Sequence, residues 1–289
     1  MDTSEHLPLI PGDIRDGALA ELRRLRAYVD ALPLDKWSEP SAAAGWTVGD
    51  VVAHLNLTFG LYRRLLGSVA EGGGSSNLWR TIGKAAERIA PAASPVLNSV
   101  NSALPKLLDR TLAPEVIRGQ FDASARQLTQ TLERVGPEDY NRPVWYVGGP
   151  YPFTFFLALT VNEMALHGWD MESRTAEVAD LDAAARRILP WFYWSGTPLM
   201  LQLPKDVKGT IQVALSEPGA AMWWRAGGEK VEQGREMTPH PDVSIRGDSA
   251  TFILTLSGRM TPATALGDAL TATGDRTLAE RFLASWRLL

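Results

Sequence analysis

The sequence predicts an α+β protein, in which a bundle of four long helices precedes a smaller domain of mixed helices and strands. Apolar residues recur at helical spacing in four long segments before residue 200. Beyond that point, short segments alternate apolar and polar residues as strands do. The length of 289 residues also exceeds that of a typical single domain. We therefore predict a helical domain over residues 1–200 and an α+β domain over residues 201–289.

Each of the four long helices has a recognisable start or a clear apolar face. The first is predicted over Asp13–Leu32, with leucines and a valine on its inward side. The second starts at Thr47, because Thr47 and Asp50 have the spacing of a capping box. Pro114 opens the third helix, which runs to about residue 135. Pro152 suits the first turn of the fourth helix, which follows a loop.

An insertion separates the second and third helices. A Gly-rich break at residues 72–76 precedes a weaker helical region over residues 78–112, which three prolines interrupt. We interpret residues 72–112 as a segment that gates or shapes a substrate pocket. The alternative is an additional helical layer that only covers apolar surface.

The second domain is predicted to combine helices with strands. A helix from Asp182 to about Trp194 leads into it. Strands are predicted at Thr210–Leu215, Met222–Arg225 and Val243–Arg246. Helices are predicted over Ser249–Leu256, from Thr261, and from Asp275 through Trp286.

The composition excludes several classes of function. The chain contains no cysteine, so any thiol chemistry must use a small-molecule thiol. The net charge is −4 and basic residues are scattered among acids, which argues against nucleic acid or membrane partners. No Walker loop or dinucleotide fingerprint is found. No signal peptide or membrane-length apolar run is found either, so we expect a cytoplasmic protein.

Two of the four histidines lie on helical faces that are otherwise apolar. His54 lies beside the apolar stripe of the second helix. Glu163 and His167 are four residues apart, so the fourth helix projects both from one face. Buried carboxylates and imidazoles are costly unless a partner satisfies them, and a divalent ion would do so. Facing helices of a bundle could bring His54 to this pair as the third ligand.

Simpler interpretations of these residues remain open. His54 could be a core histidine bonded to a carbonyl group, and Glu163 with His167 could be a surface pair. Asp170 follows His167 by three residues, close enough to accept a hydrogen bond from a ligand or to orient a neighbouring group. Its alternative is a helix-surface residue without a role.

Three segments resemble the mycothiol-dependent maleylpyruvate isomerase family, namely Trp46–Leu55, Glu163–Asp170 and Ile245–Arg259. The similarity spans nearly the whole chain. It implies a DinB-like four-helix bundle that carries a divalent metal, usually zinc. It also implies a smaller C-terminal domain, resembling sterol carrier proteins, that closes over the site. By this resemblance the metal ligands are His54, Glu163 and His167.

The resemblance also implies mycothiol as the thiol cosubstrate. Three ligands leave a fourth position on tetrahedral zinc, where a bound thiol loses its proton. Attack of the thiolate on an electrophilic carbon gives a thioether, whereas reversible attack on a cis alkene gives the trans isomer. Our leading hypothesis is a mycothiol S-transferase acting on a small electrophilic metabolite. The alternatives are a maleylpyruvate-type cis–trans isomerase, a hydrolase that uses metal-bound water, and a noncatalytic protein that binds an apolar ligand.

One arginine of the second domain is predicted to contribute to the site. Mycothiol and acidic substrates present carboxylate or carbonyl oxygens, which a guanidinium can clamp with two parallel hydrogen bonds. Arg259, after the predicted helix Ser249–Leu256, is therefore predicted to be a catalytic residue that orients bound thiol or substrate. Arg246 is the second candidate for cofactor binding. The alternative for Arg259 is a residue that binds free carbonyls at a helix end.

Overall fold

The computed structural model describes residues 9–70, 103–146, 149–175, 180–217, 219–228 and 230–287. It confirms the α+β fold class, with helices in the N-terminal part of the chain and a sheet in the C-terminal part. The chain divides into two compact units, Met1–Ala185 and Arg186–Leu289. The limits predicted for the two domains, residues 1–200 and 201–289, remain a prediction.

Besides one short 3₁₀ helix (Leu34–Ser38), five α-helices have all of their described residues in the first unit. They are α1 (Pro11–Ala31), α2 (Val48–Ala70), α3 (103–111), α4 (Pro114–Glu133) and α5 (Phe153–Thr175). Helices α4 and α5 each contact both α1 and α2, which is the arrangement of a four-helix bundle. The bundle core is apolar and aromatic, with Phe59 of α2 against Phe121 of α4 as one example.

The predicted helix starts are largely confirmed. Thr47 Oγ1 accepts a hydrogen bond from the amide of Asp50 at 3.0 Å, and Asp50 Oδ2 accepts one from the amide of Thr47 at 2.9 Å. This reciprocal pair is the capping box that the spacing predicts. Prolines occupy the first turns of α1 and α4. Pro152, by contrast, ends a strand, and α5 begins one residue later.

The segment predicted as a loop before α5 is a β-hairpin. Its strands are β1 (Pro143–Tyr146) and β2 (Gly149–Pro152), paired antiparallel. Both strands contain proline. Because proline cannot donate a ladder hydrogen bond, its presence argues against a strand when the sequence alone is considered. Of the insertion predicted at residues 72–112, residues 72–102 lie outside the described part of the chain, and residues 103–111 form α3.

The second unit contains a five-stranded sheet with helices. After α6 (Ala183–Ser195) and α7 (Thr197–Met200), the strands are β3 (Gly209–Ser216), β4 (Gly219–Ala226), β5 (Glu232–Arg235), β6 (Val243–Gly247) and β7 (Leu270–Gly274). The order across the sheet is β5-β4-β3-β6-β7, and only the β3–β6 pair is parallel. The helices that follow β6 are α8 (Ser249–Leu256), α9 (Pro262–Ala265) and α10 (Arg276–Leu283).

Helix α10 contacts β3, β6 and β7, and an aromatic cluster lies in this unit. The Trp224 ring contacts the rings of Phe282 and Trp286, at centroid distances of 5.0 and 6.0 Å. Within the second unit, the sequence pattern misses the edge strands β5 and β7, because each contains at most one buried apolar residue. None of the described helices is both long and apolar enough to cross a membrane.

Candidate metal centre

Helices α2 and α5 bring the three predicted ligand residues together. Nε2 of His54 lies 3.4 Å from Oε2 of Glu163, and Nε2 of His167 lies 3.7 Å from the same oxygen. One ligand atom from each of the three residues lies within 4.8 Å of the others. The i to i+4 spacing on α5 aligns Glu163 with His167, and the contact between α2 and α5 adds His54.

These distances fit a tetrahedral divalent metal. Two ligand atoms that each lie about 2.0–2.1 Å from zinc are about 3.3–3.4 Å apart when the angle at the metal is tetrahedral. The distance of 3.4 Å from His54 to Glu163 Oε2 matches that value, and the distance of 3.7 Å from His167 is slightly longer. Two imidazole nitrogens and one carboxylate oxygen also form a donor set that zinc accepts. His54, Glu163 and His167 could therefore hold such an ion.

The ligand residues differ in exposure. His54 is 4% exposed, whereas the side chains of His167 and Glu163 are 15% and 17% exposed. Burial lowers the pKa of His167, and the hydrogen bond with Asp170 opposes that shift only in part. A lowered pKa keeps the imidazole neutral at neutral pH, which is the form that binds metal.

Asp170 orients His167 from the side away from the cluster. Its Oδ2 accepts a hydrogen bond from Nδ1 of His167 at 2.9 Å, and the residue is fully buried. A proton on Nδ1 leaves the lone pair on Nε2, the atom that faces Glu163. Metal-binding histidines commonly donate to a carboxylate in this way. The position predicted for Asp170 is thus the one found, and its effect on catalysis stays a prediction.

Two residues that lie near the cluster, Thr58 and Trp46, are not among the site residues predicted from the sequence. Oγ1 of Thr58, one turn after His54 on α2, lies 3.3 Å from Nε2 of His54. The indole of Trp46 contacts the imidazoles of both His54 and His167. The i to i+4 spacing could have indicated Thr58. No spacing rule indicates Trp46, because it lies in a loop before α2.

The two predicted arginines lie in the second unit. Arg246 is exposed on β6. The amide of Arg259 donates to Leu254 O at 2.8 Å, and the amide of Gly258 donates to Thr255 O at 3.0 Å. With Gly258 at φ 75°, these bonds form a Schellman motif that ends α8. Nη1 of Arg259 donates to Ser257 O at 3.1 Å, so the residue does bind a carbonyl at a helix end.

Comparison with known proteins identifies the family. The sequence profile of the mycothiol maleylpyruvate isomerase N-terminal domain matches residues 18–172, more than half of the chain. The chain belongs to this family. The match includes the three predicted ligand residues of this chain, and it confirms the family resemblance that the sequence indicates.

Solved structures agree on the fold. A crystal structure of the mycothiol-dependent maleylpyruvate isomerase is similar to this chain with a TM-score of 0.57 and 15% identity, over 92% of this chain and 93% of that one. A structure of a histidine-to-alanine mutant of that isomerase gives a TM-score of 0.58 at the same identity and coverage. No curated protein matches by sequence. The similarity thus extends over both units of this family member, although the sequences have diverged widely.

Proposed function

We propose that this protein is a metal-dependent, mycothiol-using enzyme that acts on a small electrophile. The observation that supports the proposal most is the convergence of His54, Glu163 and His167 in a helical bundle of this family. The absence of cysteine supports it as well, because the chain cannot supply a thiol itself. Zinc is the proposed metal, since two imidazoles and a carboxylate suit it.

The ligand residues prepare the site for one kind of chemistry. When bound, the metal would lower the pKa of a coordinated thiol and so supply a thiolate at neutral pH. Asp170 holds His167 in the tautomer that presents Nε2. Glu163 contributes one negative charge to the cluster, which limits how strongly an anionic sulfur is retained. Burial of His54 keeps water from that side of the site.

Of the two predicted reactions, isomerisation has the better support. Both similar structures are of a maleylpyruvate isomerase, and the matching domain profile carries the same name. In isomerisation the thiol adds to one alkene carbon, the remaining carbon–carbon single bond rotates, and the thiol leaves again. The thiol is regenerated in that cycle. S-transfer, our second candidate, forms a carbon–sulfur bond that persists and consumes one thiol for each product.

This difference provides the test. The purified protein would be assayed for bound metal and then mixed with maleylpyruvate and a catalytic amount of mycothiol. Isomerisation predicts many turnovers for each thiol, with free thiol unchanged at the end. S-transfer predicts a thioether product and a stoichiometric loss of free thiol with a suitable electrophile. Activity without thiol would favour the hydrolase, and a protein indifferent to metal and thiol would contradict the proposal. His54→Ala serves as the metal-site control.

A further inference from the structure

Trp46 contacts the imidazole rings of both histidines at the candidate metal centre. Its indole is stacked on His167, with ring centroids 6.1 Å apart and an interplanar angle of 5°. It meets His54 nearly edge-on, at 5.2 Å and 71°. The two imidazoles also contact each other, at 4.7 Å and 68°. The three rings therefore form one cluster in which Trp46 restricts both imidazole planes.

The two histidines differ in what else orients them. Nδ1 of His167 donates to Asp170, as metal-binding histidines commonly do. Nδ1 of His54 is buried and has no hydrogen-bond partner among the residues that the structure describes. Thr58 contacts only Nε2 of His54, the atom directed at Glu163. The orientation of the His54 ring therefore depends on packing, and Trp46 and His167 are its aromatic contacts.

The loop that carries Trp46 is fixed by hydrogen bonds. The carbonyl oxygen of Trp46 accepts two of them from Ser41, from its amide at 2.9 Å and from Oγ at 3.0 Å. The amide of Trp46 donates to Ala43 O at 3.0 Å. The amide of Ala42 donates at 2.8 Å to the carbonyl of Asp170, whose side chain orients His167. The loop and the oriented histidine are thus joined through one residue of α5.

A purely structural role for Trp46 is the alternative. Trp37, nearby in the sequence, shows what such a role looks like, because it is 2% exposed and lies in the core. Trp46 is only partly buried, and both of its ring contacts are with ligand residues. Its position therefore fits an aromatic wall of the metal centre better than a part of the bundle core.

We propose that Trp46 is a positioning residue of the metal centre, which holds the imidazole of His54 by edge-on packing and stacks on that of His167. This inference rests on the proposed metal site. It predicts that removal of the indole weakens metal binding and changes the coordination geometry without unfolding the bundle. A ring of similar shape at this position should restore much of the effect.

Co²⁺ is a suitable probe, because its visible absorption reports coordination number and geometry. Wild type, Trp46→Leu and Trp46→Phe would be stripped of metal and titrated with Co²⁺, with melting temperatures measured alongside. Trp46→Leu should raise the Co²⁺ dissociation constant by about 10-fold or more, as loss of other outer partners of metal-binding histidines does. Its visible spectrum should change as well, whereas Trp46→Phe should stay close to wild type. Trp223→Leu, at another partly buried tryptophan, is the matched control.

The outcomes separate this inference from the proposed function. Wild-type protein that binds no Co²⁺ would overturn the metal site and the role of Trp46 together. Wild type that binds Co²⁺, with Trp46→Leu equal to it in affinity and spectrum, would overturn the role of Trp46 alone. If Trp46→Leu does not fold, the tryptophan fluorescence of wild type and of Trp46→Phe provides the test. Co²⁺ must then quench a component of wild-type emission that Trp46→Phe lacks, and equal quenching in both proteins contradicts the inference.

Discussion

Nδ1 of His167 and Oδ2 of Asp170 lie 2.9 Å apart on successive turns of α5. Because the carboxylate is fully buried, this hydrogen bond has little competition from water. It fixes both the tautomer and the plane of the imidazole, and it leaves Nε2 directed at Glu163. A short-range contact within one helix therefore prepares an atom for the proposed metal ion, for which His54 on α2 is a further candidate ligand.

Asp170→Asn should lower metal affinity by about 10- to 100-fold, which is the usual effect of losing such a partner. The amide can still occupy the space but cannot accept the proton of Nδ1 as strongly. The measurement is a competition titration with a chromogenic zinc chelator. Asp139→Asn is the control, because Asp139 is also a buried aspartate but contacts Arg142 and Gly136. Equal zinc affinity in wild type and Asp170→Asn would show that the hydrogen bond has no role at the site.

His54→Ala, Glu163→Ala and His167→Ala should each lose stoichiometric metal while the helical circular dichroism is retained. Each change removes one of three donors, and the remaining two cannot complete a tetrahedral site. Metal content by mass spectrometry of the native protein is the measurement. His240→Asn is the control, since His240 is exposed and asparagine tolerates its positive φ of 56°. Full metal occupancy in all three alanine variants would place the site elsewhere.

The sequence predicts the bundle well because local signals mark its helices. The capping box at Thr47 and the proline at the start of α4 act within a few residues, so spacing alone identifies them. The pair of Glu163 and His167 is predicted for the same reason. The edge strands β5 and β7 are missed because backbone pairing with neighbouring strands forms them, with few buried apolar residues to show it.

The surroundings of the metal centre depend on contacts that spacing does not reveal. Trp46 reaches the imidazoles because its loop bends back onto α5, through the bond from Ala42 to the carbonyl of Asp170. That bond joins two residues that are far apart in the sequence. That no described residue accepts a hydrogen bond from Nδ1 of His54 is likewise a property of the packed bundle. Sequence reasoning thus indicates the three candidate ligand residues and Asp170, and it misses Trp46 and Thr58.

Gly168→Ala should destabilise the bundle by about 1 kcal/mol, although alanine normally favours a helix over glycine by about that amount. A Cβ at Gly168 would lie 2.6 Å from Nη2 of Arg24, whose guanidinium pairs with Glu21 through Nη2 and with Glu172 through Nη1. Thermal unfolding measures the effect. In an Arg24→Ala background the same change should be neutral or stabilising. Gly60→Ala is the control, because no neighbouring group among the described residues lies within 4 Å of its Cβ position, and it should stabilise the protein. A stabilised Gly168→Ala would contradict the prediction.

The buried Glu21 should make stability depend on pH in an unusual direction. Burial raises the pKa of Glu21 above its usual 4.5, and the hydrogen bonds from Arg24 oppose this only in part. The folded state therefore holds the proton more tightly than the unfolded state, so stability from this group is lost as pH rises above 4.5. The melting temperature of wild type minus that of Glu21→Gln should fall as pH rises from 4.5 towards 7. A difference that rises over this range would refute the raised pKa.

The Arg259→Lys variant distinguishes a catalytic role of the Arg259 side chain from a role in capping α8. The Schellman motif uses the amides of Gly258 and Arg259 and is unaffected by the side chain, so the melting temperature should stay nearly unchanged. Zinc content should also stay unchanged. A lysine cannot form the two parallel hydrogen bonds of a guanidinium, so a role in orienting thiol or substrate predicts a raised KM or a lowered kcat. Arg276→Lys, at an exposed position at the start of α10, is the control. Wild-type kinetics for Arg259→Lys would leave Arg259 with a structural role at the end of α8, where its side chain binds Ser257 O.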